Sequence, residues 1–432
     1  MPDRTMRRRR IKEDPTVSMG SSAAGVRRTE RTTLALLVGV FIIDYIDRVM
    51  IAVALPLIGA EFGLSKTTQG LVVSAFAIAY LVGQMPGGLL ADRVGARPLL
   101  VISLAAWSVF TAATGFAPGL VVLLVLRAAF GFAQALFPGA AFKALAERTT
   151  QEGRSRGAGL LLASNSVGAG LGPLLVAPLV VAVGWRHTFW IVAVAGLLVG
   201  LALWRLLPAP LPRELTEPEA RVAPVKVPVS RVLRNRLVIR CAVMFACFNM
   251  LAYGMITWVP SYLVETKGLS LVAAGVSAAI PQLVSAAAVL IGGWLMSRYF
   301  DHRPRWLVVP ALVAAAGVLV AMLLSDSATG FTVLQTVAMF ISGLASIGIV
   351  GLPLRVLPRD LVGAGMGLVN TGGQLAGVLA PLVMGWLADR FGFAAAFGFL
   401  AVSTLAAAAI SLTTRSTKLS LGAPAPAKEQ VG

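Results

Sequence analysis

The chain consists of long, nearly uninterrupted apolar blocks separated by short polar loops. Each block holds about 20 residues, the length a helix needs to cross a hydrocarbon core of roughly 30 Å. The blocks lack the polar stripe that a soluble amphipathic helix repeats every 3.6 residues. Composition agrees: 57% of residues are hydrophobic and 13% charged, against about 25% charged in soluble domains. A globular fold is excluded, and the expectation is an all-α membrane protein whose first partner is the lipid bilayer.

Twelve transmembrane helices are predicted, at about 34–58, 68–90, 98–117, 119–142, 157–183, 188–207, 237–263, 270–297, 306–324, 331–353, 361–388 and 392–414. An even number puts both termini on one side. Of the 37 Lys and Arg residues, only Lys66, Arg186, Lys267 and Arg390 fall in the loops opposite the termini, and Arg48 and Arg127 lie within spans. The positive-inside rule therefore predicts cytoplasmic N and C termini and a multi-pass protein of the cell inner membrane. The same distribution explains the net charge of +18 without nucleic acid, since no folded basic patch exists. Residues 1–33 read as a disordered basic cytoplasmic tail, with no cleavable signal pattern, and 415–432 as a cytoplasmic C-tail.

The segment 208–236 is basic and rich in proline, a linker between two six-helix halves, 34–207 and 237–414. The halves repeat. Gly88-Leu-Leu-Ala-Asp92-Arg93-Val-Gly95 closes the second span, and Gly293-Trp-Leu-Met-Ser297-Arg298 closes the eighth. An offset of 208 residues also aligns Pro173 with Pro381, Gly184 with Gly392 and Phe189 with Phe397. Repeats of this kind place a binding site near the midplane, between halves that rock around it. One chain suffices for such a fold, so a monomer is expected. Cys241 and Cys247 share an apolar block and are expected to pack there. Metal-ligand spacing, a nucleophile elbow and a phosphate-cradling loop are all missing, so neither an enzyme nor a metal or cofactor is expected.

Ionisable groups inside a membrane cost about 2.5–3.5 kcal/mol each at a helix centre, so they face a cavity or a partner. Four lie deep in the predicted spans: Asp44, Asp47 and Arg48 in the first, Arg127 in the fourth. The first three are spaced i, i+3, i+4 and share a face. Asp44 lies about 15 Å into its span at 1.5 Å per residue, close to the midplane. Arg127 shares a face with Gly131 and Gln134. An arginine fork suits a carboxylate through two parallel charge-assisted hydrogen bonds. Two aspartates and two arginines also balance, so a purely structural network, Asp47 with Arg127 for instance, is the competing reading. Tyr80, Ser164, Asn165, Asn370 and Gln374 are candidates for orienting a substrate, or else hydrogen-bonded glue between helices. Tyr253 and Trp258 fit aromatic packing better than a cavity wall.

The stretch Asp44-Tyr-Ile-Asp-Arg-Val-Met-Ile-Ala-Val-Ala-Leu-Pro56, with Ser74-Ala-Phe-Ala-Ile-Ala-Tyr80 and Gly83 to Arg97, resembles the major facilitator superfamily. Asp47-Arg48, Tyr80 and Arg127 together resemble its anion:cation symporter family, the sugar-acid permeases and sialin relatives. The resemblance implies proton-coupled symport of a small organic anion by alternating access. It implies that Arg48 and Tyr80 hold substrate, that Asp47 takes part in proton coupling, and that Arg127 communicates with the coupling carboxylate. Asp92, Arg93 and Arg97 would form a cytoplasmic latch. One departure stands out. Family members commonly carry glutamate where this chain has Gln134, and Asp44 stands where many relatives are uncharged. The expectation is that the second titratable site has moved to Asp44, forming a coupled pair with Asp47; an uncoupled carrier or exchanger is the alternative. A drug or metabolite efflux antiporter is a further rival, because Gly168-Ala-Gly-Leu-Gly172-Pro173 is faintly similar to an antiporter signature.

Overall fold

The computed structural model describes residues 15–212, 216, 229–300, 303–357 and 362–414, all helices and connecting turns. The C-tail and most of the proposed linker therefore lie outside the described residues. In chain order the helices are α1 (Pro15–Phe62), α2 (Lys66–Val94), α3 (Ala96–Thr114), α4 (Leu120–Ala135), α5 (Phe137–Arg148) and α6 (Gln151–Leu206). After the linker come α7 (Val229–Arg234), α8 (Arg236–Glu265), α9 (Leu271–Leu295), α10 (Arg305–Leu323), α11 (Ala328–Val356) and α12 (Val362–Thr413). A single π-helical turn, Met296–Phe300, extends α9.

Among the described residues, nine helical stretches are long and apolar enough to cross a membrane. The first helix is not one of them, because Asp44, Asp47 and Arg48 interrupt its apolar run. Helix starts carry the caps that satisfy orphan amides: Ser65 accepts from Thr68 N–H, Asn235 from Leu237 and Val238, Ser270 from Ala273, and Ser327 from Gly330.

Two elements join what the sequence reads as separate spans. The 56-residue α6 is broken at Gly184 (φ 81°, ψ 160°), and the 52-residue α12 at Gly392 (φ 80°, ψ 172°). Glycine alone tolerates this backbone region, so each break sits where the chain can reverse without strain.

Helix α1 also departs from expectation. Residues 15–33, expected in a disordered tail, continue the helix outward. Glu30 fixes this extension, since its Oε1 accepts from the Thr150 amide and hydroxyl at 2.7 Å each, at the cap of α6.

Helices α1 to α6 pack on one another, as do α8 to α12. Buried apolar clusters follow the same division. Leu37, Trp107, Phe130 and Phe137 anchor one, and Trp258, Phe331 and Phe397 another. The glycines of the 168–173 stretch serve packing. Gly168 lies against Ile42 and Tyr45 of α1, Gly172 against Val49, and Gly170 against Leu283 of α9. The two groups meet where α2 touches α12, α6 touches α9 and α1 touches α8.

Gly392→Ala forces a side chain into a glycine-only region, which costs about 1–3 kcal/mol. The purified protein is expected to melt at a lower temperature in detergent, while Ala396→Ser, one turn further along in regular helix, changes melting less.

Candidate anion and proton site

Where α1, α2, α4, α8 and α12 converge, they enclose a cavity of about 130 Å³. Arg48, Phe76 and Arg127 line one wall, and Asn249, Tyr253 and Thr257 of α8 line the other. The helical spacing read from the sequence does bring the four ionisable groups together. Asp44, Asp47 and Arg127 are 3%, 2% and 1% exposed.

They divide into two sets. In the first, Arg48 Nη2 meets Asp44 Oδ2 at 3.3 Å and Arg48 Nε donates to Gln134 Oε1 at 3.3 Å. Gln134 Nε2 in turn donates to the Asp44 carbonyl at 3.3 Å. The guanidinium stacks over Tyr80 at 4.5 Å and Tyr45 at 4.9 Å. In the second set, Thr111 of α3 donates to Asp47 Oδ2 at 2.8 Å. Arg127 stacks on Phe130 at 4.6 Å and Phe76 at 5.3 Å.

The structural pairing of Asp47 with Arg127 is not formed within ion-pair distance. Arg127 instead keeps two nitrogens, Nε and Nη2, buried without a hydrogen-bond partner. Asp44 and Asp47 each keep one such oxygen, Oδ1. Buried polar atoms left open are expensive, so a cavity-lining arginine with two of them, beside two carboxylates with one each, is suited to receiving a ligand or a proton.

Other sequence candidates fall at varied distances from this cavity. Tyr80 and Gln134 back Arg48 rather than line the cavity. Gln374 accepts from the Tyr253 hydroxyl at 2.9 Å and so orients a lining side chain. Ser164 donates to the Leu160 carbonyl of its own helix at 2.7 Å. Asn165 has a buried amide oxygen without a partner, and Asn370 is exposed on α12. Of the expected latch, Asp92 meets Lys143 of α5 at 3.4 Å, Arg93 is exposed, and Arg97 donates to the Trp204 carbonyl.

Asn249, Thr257 and Thr111 are additions from the structure, and Tyr253 moves from packing to the cavity wall. The criterion that selected Asn165 also applies to Asn249, an amide within an apolar block. Nothing separates Thr111 from other threonines in spans until α3 is placed beside α1.

A family model described as Major Facilitator Superfamily matches residues 37–380. The chain is 30% identical over 416 residues to a D-galactonate transporter of Escherichia coli O6:H1, covering 89% of this chain and 95% of that protein. It is 28% identical over 390 residues to a probable sulfoacetate transporter, SauU, of Cupriavidus necator, covering 84% and 89%. A hexuronate transporter of Bacillus subtilis is 26% identical over 398 residues, covering 89% and 94%. Among solved structures, a bacterial homolog of the human lysosomal transporter Spinster, inward-facing and unoccupied, aligns with a TM-score of 0.76 at 19% identity, covering 89% and 95%. A D-xylose-proton symporter aligns at 0.71 and 16% identity, covering 89% and 98%. At these identities the structural likeness concerns the fold.

Thr111→Val removes the donor to Asp47 and leaves both buried carboxylate oxygens unbonded. A hydrogen bond to a charged group contributes about 1.5–3 kcal/mol. The variant is expected to melt at a lower temperature, and Thr111→Ser, which keeps the hydroxyl, to recover most of the loss.

Proposed function

Because the chain belongs to the major facilitator superfamily, a family of membrane transporters and not enzymes, we propose that it takes up a small organic anion by proton-coupled alternating access. The substrate class is a sugar acid or a similar carboxylate. The observation that carries this reading is Arg127, a cavity-lining guanidinium with two buried nitrogens free of hydrogen bonds. A carboxylate fits both open donors of such a fork. The names of the relatives, transporters of galactonate, hexuronate and sulfoacetate, support an anionic cargo.

In this reading the chain spans the inner membrane twelve times, as two six-helix halves with both termini cytoplasmic. The 56 residues of α6 and 52 of α12, at 1.5 Å per residue, are each well over twice the length one crossing requires. That supports two spans in each. The loop charges support the orientation.

Coupling runs through the two carboxylates. While ionised, Asp44 holds Arg48 by an ion pair. A proton on Asp44 releases Arg48 toward the cavity, where it joins Arg127 in binding the anion. Asp47, held by Thr111 and near Arg127, responds to the same ligand through charge. Proton and anion therefore favour each other's binding, the condition for symport. Gln134 cannot titrate; it fixes the Asp44–Arg48 pair from behind through both ends of its amide. The same amide is the one feature favouring the second reading, an uncoupled carrier or exchanger.

Uptake of radiolabelled carboxylates into liposomes with an inward proton gradient tests this, sugar acids before others. Accumulation is expected, abolished by a protonophore and by Arg127→Ala. Arg127→Lys keeps the charge but loses the fork, and its KM is expected to rise about tenfold or more. Asp44→Asn is expected to equilibrate substrate without accumulating it. Accumulation unchanged in Asp44→Asn would move coupling elsewhere, and equilibration in the unmodified protein would establish the uncoupled reading.

A further inference from the structure

One octapeptide occurs twice, and the two copies do different things. Gly88-Leu-Leu-Ala-Asp92-Arg93-Val-Gly95 closes α2, and Gly385-Trp-Leu-Ala-Asp389-Arg390-Phe-Gly392 ends at the break in α12; six of the eight positions are identical. The closing glycines share one backbone conformation, with φ 93° and ψ 158° at Gly95 and φ 80° and ψ 172° at Gly392. Each aspartate thus projects from the last helical turn before the same kind of break.

Among the described residues, Asp92 meets its own group of helices, through Lys143, and its side chain is 78% exposed. Asp389 crosses to the other group and caps the start of α2. Its Oδ1 accepts from the Lys66 amide at 2.8 Å, and its Oδ2 from the Thr67 amide at 2.7 Å and hydroxyl at 2.5 Å. First-turn amides lack partners within their own helix and sit at the positive end of its dipole, so a carboxylate from outside is well matched to them. Beside this cap, Lys66 Nζ pairs with Glu265 of α8 at 2.5 Å. Further along the seam, Ser74 donates to the Val378 carbonyl at 2.7 Å.

Backbone contact is equally close here. A Cβ on Gly70 would collide with the Pro381 carbonyl, and one on Gly385 with the Lys66 carbonyl. Among the described residues, the hydrogen bonds and ion pairs joining α1–α6 to α8–α12 are these, and all lie toward the Lys66 end of α2.

We propose that Asp389, with its acceptor bonds from Lys66 and Thr67 and the adjoining Lys66–Glu265 pair, is the latch that holds the periplasmic face closed. It rests on the orientation and alternating access given under the proposed function. Substrate entry from outside requires the two groups of helices to part at this seam, so every one of these bonds breaks in the outward-open state. The two copies of the octapeptide then mark opposite ends of one helix pair, α2 with α12, and in this state only the Asp389 copy is engaged across it.

Lys66, Thr67, Glu265 and Asp389 are partly solvated, which limits each of their bonds to a modest contribution. A shift of a few-fold, not of many orders, is therefore expected on removing one of them. The test places a single cysteine in the cavity, Ala52→Cys, in a chain with Cys241→Ser and Cys247→Ser. Its labelling rate by a membrane-impermeant maleimide is measured in right-side-out and inside-out vesicles. This needs neither a substrate nor a proton gradient, so a failed uptake assay leaves its result standing.

Asp389→Ala is expected to raise labelling from the outside by about threefold to tenfold. Lys66→Glu is expected to raise it as well, and combination with Glu265→Lys to restore the starting rate. Gly70→Ala wedges the seam without removing a bond and is expected to act in the same direction. If Asp389→Ala does not yield monodisperse protein, Thr67→Val and the charge swap carry the decision. Unchanged labelling in folded Asp389→Ala and Gly70→Ala proteins would overturn the latch. A rise confined to inside-out vesicles would overturn the assignment of this end to the periplasm, and the proposal with it.

Discussion

The arrangement of this protein depends on the expense of holding charge in an apolar interior. Two aspartates and two arginines sit together, with Asp44, Asp47 and Arg127 buried and Arg48 nearly so. Arg48 is stabilised by Asp44, by the Gln134 amide and by the faces of Tyr45 and Tyr80. Arg127 has aromatic faces but leaves two N–H groups open. Within the proposed reading, this unequal solvation leaves Arg127 open to the anion and holds Arg48 back until Asp44 takes a proton. The helices around them then need small residues for close approach, and Gly131 accordingly packs directly against the Phe76 carbonyl.

Gln134 shows what a neutral amide contributes to such a cluster. Its amide accepts from Arg48 and donates to the main chain at Asp44. A glutamate could accept from Arg48 but, when ionised, could not donate to a carbonyl. The amide therefore fits a site in which the negative charge beside Arg48 comes from Asp44. Within the proposed reading, that places the proton-responsive carboxylate on the same helix as the arginine it restrains, one turn away.

The seam between the two groups of helices follows a different logic. Apart from the buried Ser74–Val378 bond, it is built from partly solvated polar contacts and from glycines that let backbones touch, notably Gly70 and Gly385. Buried ion pairs would be hard to separate, whereas partly solvated ones exchange with water at little net expense. A seam of this kind suits surfaces that must part and rejoin.

Sequence alone determined the helical membrane class, the alignment of Pro173 with Pro381 and of Gly184 with Gly392, and the face shared by Asp44, Asp47 and Arg48. These follow from hydropathy, backbone limits on non-glycine residues and the pitch of one helix, all local properties. The helical continuation of α1 before residue 34 was not legible, because it depends on Glu30 reaching Thr150. Nor were the partners of the charged groups. Which aspartate holds Arg48, why Asp47 turns to Thr111, and that Asn249 and Tyr253 face the two arginines depend on how α3, α4 and α8 are set against α1. Contacts between helices distant in sequence are fixed by packing in three dimensions. A periodicity read along one helix therefore gives the face a side chain occupies, and only the tertiary structure gives what that face meets.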